Sequence, residues 1–200
     1  MNRNALLIFI RNPQLGCVKT RLAAKIGDDK ALKVYELLLK YTRSITNQIN
    51  SSRLLFYSNF IDTNDSWDNN CYIKLLQEGN DFGEKLYNGF KLALRDHKKA
   101  VLIGSDCEEL TFMILKEAFN KLSDFDVVLG PAKDGGYYLM GLKNIYPKLF
   151  SNKKWGTSTV LEDTIDDIIS LGLNYYLLPL LSDIDDYKDL KNSNLYNKIV

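Results

Sequence analysis

The sequence predicts a three-layer α/β/α sandwich built on a mostly parallel, mixed sheet. Short aliphatic runs alternate with amphipathic stretches along the chain, and this alternation is typical of βαβ units. The runs at residues 5–10 and 101–103 are continuously apolar, as in strands that are buried on both faces of a sheet. The 200 residues contain no repeat and no linker, so we expect a single domain over residues 1–200.

The first half of the chain predicts three strands and two long helices. The strands lie at residues 5–10, 53–58 and 72–76. The first helix begins at a cap formed by Asp28 or Asp29 and ends near residue 49. Its core face, at helical spacing, consists of Leu32, Tyr35, Leu38 or Leu39, Thr42 and Ile45. The second helix begins at Asp81 and Glu84, which resemble a capping box, and ends near residue 96.

The second half predicts four further strands and three helices. The strands lie at residues 100–103, 125–129, 137–142 and 174–178, with a turn at 133–136. One helix spans residues 111–122, and a short polar helix follows Asp186. Between them, a helix begins at a cap formed by Thr157 or Ser158 and ends at Gly172. Its apolar face consists of Leu161, Ile165, Ile168 and Ile169.

The composition excludes several classes of function. The chain has 26 Lys and Arg against 25 Asp and Glu, and this balance argues against a nucleic-acid partner. The apolar run at residues 5–10 is too short for a signal segment or a membrane span, and no later run is long enough. We therefore expect a cytoplasmic protein without a membrane span.

Cysteine and histidine residues are too few for many kinds of catalytic and metal site. Cys17, Cys71 and Cys107 are far apart and form no CxxC pair, so they match neither a zinc motif nor a disulfide framework. His97 is the only histidine and falls at a polar helix end, which excludes Ser-His-Asp and Cys-His mechanisms. Any chemistry must therefore use carboxylates, lysine, arginine and a metal ion.

Asp106 is the first candidate site residue because it follows a buried aliphatic run. In open α/β sheets, ligands bind beyond the carboxyl ends of such strands. A carboxylate in that position is suited to hold Mg²⁺ or Mn²⁺ against a phosphate, although Asp is also a common helix cap. Asp183 and Asp185 follow the last strand and lie on one side of it if Ile184 points inward. They would supply a second metal ligand or cap the last helix.

A cationic loop follows the first strand. It contains Gly16, which lets the backbone approach a ligand closely, and then carries Lys19, Thr20 and Arg21. The two cations offer a point charge and a bidentate fork to phosphate groups. The loop has neither a Walker A motif nor a dinucleotide fingerprint, so a phosphate site and an ordinary solvated loop both remain open.

Two further stretches are candidates for contact with a substrate. Asp134, Gly135 and Gly136 form either a tight turn between strands or a close approach of the backbone to a substrate, with Asp134 as a polar contact or base. Trp155 belongs either to a lid over an acceptor site or to the packed residues before a helix cap.

Six motifs, taken in order, resemble those of the DUF2064 family. They lie at residues 9–22, 77–86, 104–107, 130–138, 155–157 and 183–185. Members of this family are glycosyltransferase-like transferases related to 2-phospho-lactate guanylyltransferase and molybdenum-cofactor guanylyltransferase. The chain departs from the family pattern at Asn12, where an aromatic residue is usual, and at Glu108, where Pro is expected.

The resemblance implies a nucleotide-diphospho-sugar transferase fold, which is GT-A-like. It implies that the nucleotide is bound by Arg11, Gly16, Lys19, Arg21, Gln77, Gly79 and Gly83. It implies a divalent metal, Mg²⁺ or Mn²⁺, on Asp106 and Asp185. The resemblance also implies that the substrate is contacted by Asp134, Gly135, Gly136 and Trp155. The catalytic residues that it implies are Lys19, Arg21, Asp106 and Asp134.

Three hypotheses about function follow. The first is metal-dependent nucleotidyl transfer from a nucleoside triphosphate to a small anionic acceptor, because paired cations suit the higher charge of a triphosphate. The second is glycosyl transfer from a nucleotide-sugar, and the third is a non-catalytic nucleotide-binding protein. The expected partners are a nucleoside triphosphate or nucleotide-sugar and a small-molecule acceptor, and a homodimer is compatible with the sequence.

Overall fold

A seven-stranded mixed sheet forms the centre of the protein in a computed structural model that describes residues 3–199. Met1, Asn2 and Val200 of the predicted domain lie outside the described residues. The strands are β1 (Asn4–Ile10), β2 (Ser52–Tyr57), β3 (Ile73–Leu76), β4 (Lys99–Ile103), β5 (Val127–Pro131), β6 (Tyr137–Leu142) and β7 (Tyr175–Leu177). Their order in the sheet is β3-β2-β1-β4-β6-β5-β7. Only β6 runs antiparallel to its neighbours, so the predicted mostly parallel, mixed sheet is confirmed.

Helices cover both faces of this sheet. They are α1 (Thr20–Ile26), α2 (Asp28–Thr46), α3 (Phe82–Asp96), α4 (Phe112–Lys121), α5 (Val160–Ser170), α6 (Tyr187–Lys191) and α7 (Tyr196–Ile199), with a 3₁₀ turn at Pro147–Leu149. Side chains of β1 alternate between the two faces: Leu6 and Ile8 pack with α2 and α4, whereas Leu7 and Phe9 pack with α3. The three-layer sandwich is therefore confirmed. No helix within residues 3–199 has the length and apolar character needed to cross a membrane.

The prediction that Lys19, Thr20 and Arg21 lie in a loop is wrong in part, because α1 begins at Thr20. This helix has only 7 residues, no side-chain cap and no acidic residue in its first turn, so the usual sequence signals of a helix start are missing. Lys19 precedes it with φ 48°, a left-handed conformation that is uncommon outside glycine.

Two predicted helix starts are displaced by one or two positions. Gly27, not Asp28 or Asp29, is the N-cap of α2, and this helix ends at Thr46. Thr159 is the N-cap position of α5, since the hydroxyl of Thr157 donates to the Lys154 carbonyl instead. The last residue of the predicted apolar face of α5, Ile169, is 60% exposed.

The predicted capping box of α3 is half formed. Asp81 accepts a hydrogen bond from the Glu84 backbone N–H at 2.8 Å, as expected for an N-cap. The Glu84 carboxylate, however, accepts from the Asn80 backbone N–H rather than from that of Asp81. A complete capping box occurs at α6, where Asp186 and Asp189 satisfy each other's backbone N–H groups.

Candidate active site

The strand order brings several predicted site residues to one edge of the sheet. β1 and β4 are parallel with Ile8 beside Ile103, so the residues that follow both strands are neighbours. β6 is antiparallel and pairs Leu139 with Ile103, so its first residue, Tyr137, lies at the same edge. The Ile184 backbone N–H donates to the Asp106 carbonyl at 3.0 Å and brings in the segment after β7.

Lys19 joins two carboxylates that come from distant parts of the chain. Its Nζ lies 3.1 Å from Asp106 Oδ2 and 2.9 Å from Asp185 Oδ1. The Lys19 side chain is 6% exposed, whereas those of Asp106 and Asp185 are 39% and 44% exposed. We name these three residues the carboxylate–lysine cluster.

The charges of the cluster shift the pKa values of its members. Burial would lower the pKa of Lys19, but the carboxylates of Asp106 and Asp185 outweigh this and raise it above its ordinary value. Burial would raise the pKa of Asp106, but the Lys19 ammonium holds it below its ordinary range. Burial, followed by the negative charge of Asp106, raises the pKa of Asp183 to about 8. Lys19 therefore favours the ionised form of Asp106, whereas burial favours the protonated form of Asp183.

A cleft of about 830 Å³ opens at this edge. Of the predicted site residues, the structure places Arg11, Lys19, Arg21, Gln77, Asp106, Asp134, Gly136, Trp155 and Asp185 in its lining. Gly16, Gly79, Gly83 and Gly135 do not line it. The structure thus brings most of the predicted site together, while the functional roles of these residues remain predictions.

Packing accounts for two of the glycines outside the cleft. A Cβ on Gly83 would lie 2.2 Å from the Phe150 carbonyl oxygen and 2.7 Å from Trp155 Nε1. A Cβ on Gly135, where φ is +90°, would lie 2.1 Å from the Ser158 carbonyl oxygen. Both positions therefore require glycine to let a neighbouring backbone approach, whether or not a ligand is bound.

Asp134 has a local role that agrees with the predicted turn. Its Oδ1 accepts a hydrogen bond from the Gly136 backbone N–H at 2.8 Å, which is the geometry of an Asx turn. The side chain nevertheless lines the cleft, as does Gly136. The turn and the predicted contact with a substrate are therefore compatible with each other.

Gln77 presents only part of its amide to the cleft. Its Nε2 donates to the Ile10 carbonyl at 3.0 Å and to the Phe56 carbonyl at 3.1 Å. Because both partners are acceptors, the nitrogen must face them, and the oxygen is the amide atom left for a ligand.

An aromatic wall lines a part of the cleft that is separate from the carboxylate–lysine cluster in the chain. It consists of Phe82, Tyr137 and Trp155, whose rings come from α3, β6 and the loop before α5. The Trp155 ring lies 5.4 Å from that of Phe82 and 6.4 Å from that of Tyr137, both edge-on. Edge-on contacts of this kind stabilise aromatic clusters beyond the area that they bury.

Several lining residues were missed from the sequence. Lys85 and Phe82 lie in the first turn of α3, where helical periodicity does not reveal which residues face a cleft. Asn12 is 2% exposed, and its side-chain oxygen accepts from the Asn59 N–H while its nitrogen donates to the Phe60 carbonyl. The amide thus fixes the loop after β2 at the position where the family pattern has an aromatic residue.

The cluster fits a divalent cation with few protein ligands. Each carboxylate has one oxygen paired with the Lys19 ammonium. The second oxygen, which is Oδ1 in Asp106 and Oδ2 in Asp185, is in no ion pair within residues 3–199. No group of three or more Asp, Glu, His or Cys side chains among these residues has the arrangement of a metal site. Two carboxylates suffice for Mg²⁺, because water and phosphate oxygens complete its octahedron.

Solved structures identify the fold. A protein from Desulfovibrio desulfuricans G20, described as a "putative nucleotide-diphospho-sugar transferase", is 27% identical with a TM-score of 0.86, and the match covers 98% of this chain and 90% of that one. The inositol-1-phosphate CTP transferase of T. maritima is 17% identical with a TM-score of 0.61, over 98% and 94% of the two chains. Rv0371C of Mycobacterium tuberculosis H37Rv, solved in complex with manganese, is 9% identical with a TM-score of 0.55, over 95% and 97%.

The strand order and the helices on both faces of the sheet give this protein the fold of the nucleotide-diphospho-sugar transferases, which these solved structures share. The profile of one family, described as "Uncharacterized protein conserved in bacteria (DUF2064)", matches residues 41–157. The chain belongs to the DUF2064 family, as its motifs predicted. No curated protein matches the sequence.

Proposed function

We propose that this protein is a metal-dependent nucleotidyltransferase that acts on a nucleoside triphosphate and a small anionic acceptor and releases pyrophosphate. The observation that carries the proposal is the carboxylate–lysine cluster, in which Asp106 and Asp185 meet at the sheet edge inside a cleft. The transferase class agrees with the neighbours of the same fold, one of which is a CTP transferase.

The cleft offers positive charge for a polyphosphate. Arg11, Arg21 and Lys85 line it, and none of the three is in an ion pair within the described part of the chain. Arginine binds phosphate oxygens in bidentate fashion, and lysine acts as a point charge. Arg11 and Arg21 would neutralise a bound triphosphate and orient its α-phosphorus toward the acceptor, which leaves Lys85 for the acceptor itself.

Asp106 and Asp185 would hold the divalent cation. When bound, Mg²⁺ or Mn²⁺ supplies positive charge to the phosphate oxygens as negative charge develops on the leaving pyrophosphate. An oxygen of the acceptor forms the new bond to the α-phosphorus, and the bond to pyrophosphate breaks. The residues of the chain contribute position and charge, so no nucleophilic side chain is required.

The acceptor would lie on the side of the aromatic wall. Asp134, Gly136 and Trp155 line that side of the cleft, next to the turn that precedes β6. Lys85 lies in the same first turn of α3 as Phe82 and gives this side a cation suited to an acidic group on the acceptor. These contacts support an acceptor that is small and anionic.

A second candidate is glycosyl transfer from a nucleotide-sugar at the same site. It is favoured by the 27% identical protein of Desulfovibrio desulfuricans, which is described as a "putative nucleotide-diphospho-sugar transferase". Aromatic rings such as those of the wall also pack well against apolar faces of a ligand. In this case the acceptor would attack the anomeric carbon and a nucleoside diphosphate would leave.

Product analysis separates these candidates. We would incubate the protein with each of the four nucleoside triphosphates, Mg²⁺ and a mixture of small phosphorylated acceptors, and measure pyrophosphate. In a parallel series, nucleotide-sugars would replace the nucleoside triphosphates, and we would measure the release of nucleoside diphosphate. Acceptor-dependent pyrophosphate is expected. Nucleoside diphosphate release would favour the second candidate, and thermal stabilisation by a nucleotide without turnover would indicate a non-catalytic nucleotide-binding protein.

A further inference from the structure

We propose that Lys19 is a positioning residue of the cation site, which holds the carboxylates of Asp106 and Asp185 in place, and that it is not a ligand of the nucleotide phosphates. This inference rests on the proposed function, because it assigns a role within the same site. It differs from the role that family resemblance gives Lys19, and the difference comes from how the side chain is buried and paired.

The relative exposure of the three side chains shows how enclosed Lys19 is. Lys19 is 6% exposed, whereas Asp106 and Asp185 are 39% and 44% exposed. All three side chains line the cleft, but the ammonium is the most enclosed member of the cluster. A phosphate in the cleft therefore has more surface to contact on the two carboxylates, and on a cation held by them, than on Lys19.

The hydrogen bonds of the cluster leave one oxygen of each carboxylate without a charged partner. Lys19 Nζ binds Asp106 Oδ2 and Asp185 Oδ1, one oxygen from each carboxylate. The remaining oxygens, Asp106 Oδ1 and Asp185 Oδ2, are in no ion pair with any residue from 3 to 199. In other proteins, residues that hydrogen-bond to metal-binding carboxylates in this way fix the orientation of those carboxylates.

The backbone that carries Lys19 is held close to the segment that carries Asp185. Val18 is 2% exposed, and the Lys19 carbonyl accepts from the Ala23 N–H at 2.8 Å in the first turn of α1. Leu22 of α1 packs in one apolar cluster with Ile184, the residue before Asp185. The segments that carry Lys19 and Asp185 are thus packed together, which keeps the Lys19 backbone beside the Asp185 carboxylate.

Loss of Lys19 should weaken the cation site more than the anion site. Without the ammonium, Asp106 and Asp185 repel each other and are no longer held at a distance that suits one cation. Removal of such an orienting partner typically lowers metal affinity about 10–100-fold. Phosphate binding would persist, because Arg11, Arg21 and Lys85 still line the cleft.

Mn²⁺ binding without nucleotide tests the proposal directly. The loss of the free Mn²⁺ EPR signal would be measured for the wild type, Lys19→Met and Lys25→Met, which removes an exposed lysine of the same helix. We expect Lys19→Met to bind Mn²⁺ about tenfold or more weakly, and Lys25→Met to match the wild type. Inorganic tripolyphosphate, titrated without metal by calorimetry, should bind Lys19→Met within about threefold of the wild type and Arg21→Met more weakly.

The opposite pattern overturns the proposal. If Lys19→Met binds Mn²⁺ as tightly as the wild type and loses tripolyphosphate, Lys19 is a phosphate ligand, and the metal assignment of the proposed function survives. If the wild type itself binds no Mn²⁺, with or without tripolyphosphate, both proposals fail.

A measurement on the wild type covers the case in which Lys19→Met does not fold. Lysine acetylation, followed by mass spectrometry, would be compared without additions, with Mn²⁺ and with tripolyphosphate. A positioning role predicts that Lys19 stays protected in all three samples, because the ammonium remains enclosed and paired with the carboxylates. Acetylation of Lys19 that rises with Mn²⁺ alone would mean that the cation displaces it, and would overturn the proposal.

Discussion

The two sides of the cleft are held in place by different interactions. The carboxylate–lysine cluster consists of residues that follow β1, β4 and β7, and charge pairs around one buried ammonium join them. The aromatic wall is held by ring contacts and by the close fit of Gly83 against the segment before α5. Charge pairing thus holds one part of the cleft and ring packing another, so separate substitutions can test the two parts independently.

Asp106→Asn should have the largest effect, because it removes charge from the charge-paired side while it keeps the shape of the side chain. We expect turnover in the pyrophosphate assay to fall about a hundredfold or more, the scale on which a single charge-stabilising group acts in other enzymes. Asp166→Asn, an exposed residue of α5 outside the cleft, is the matched control. Full activity of Asp106→Asn would contradict the metal assignment.

Gly83→Ala tests the packing of the other side. The added methyl group would collide with the Phe150 carbonyl and with Trp155, so we expect the free energy of unfolding to fall by about 1–3 kcal/mol in urea denaturation. Mn²⁺ affinity should stay at the wild-type value, since the cluster does not contact this residue. Unchanged stability, or a loss of Mn²⁺ affinity, would show that the two sides are not held independently.

Cysteine labelling should give the smallest effect and uses a control within the chain. Cys17 and Cys71 are both exposed, but only Cys17 lines the cleft. If a nucleotide with Mg²⁺ covers Cys17, its alkylation should slow about tenfold at a ligand concentration about ten times Kd, with Cys71 unchanged. Cys107 is buried, and burial raises its pKa, so it should stay unlabelled. Equal rates for Cys17 with and without ligand would place the nucleotide elsewhere.

Much of the fold could be predicted because its signals are local. The continuous aliphatic runs of β1 and β4 mark buried strands, and Asp81 marks the start of α3. α1 was missed because a helix of 7 residues without a cap carries no such signal, and its stability comes from Leu22 in a tertiary cluster. The same limit displaced the start of α5, where Thr157 bonds to its own loop.

The candidate site was predictable in its chemistry and less so in its arrangement. Asp106, Arg21 and Asp185 were identified from residue type and from their places after strands, and all three line the cleft. Lys85 and Asn12 were not identified, because one depends on the direction in which α3 begins and the other on the path of the loop after β2.

The sequence by itself determined the layers of the sandwich, the sheet edge that carries the candidate site and the chemical groups available there. These properties depend on side-chain periodicity and residue type, which can be recognised within short stretches of the sequence. Only the tertiary structure decided that Lys19 pairs with Asp106 and Asp185 and that Gly83 supports Trp155. Such pairings depend on strand order and burial, which arise when distant segments pack against each other.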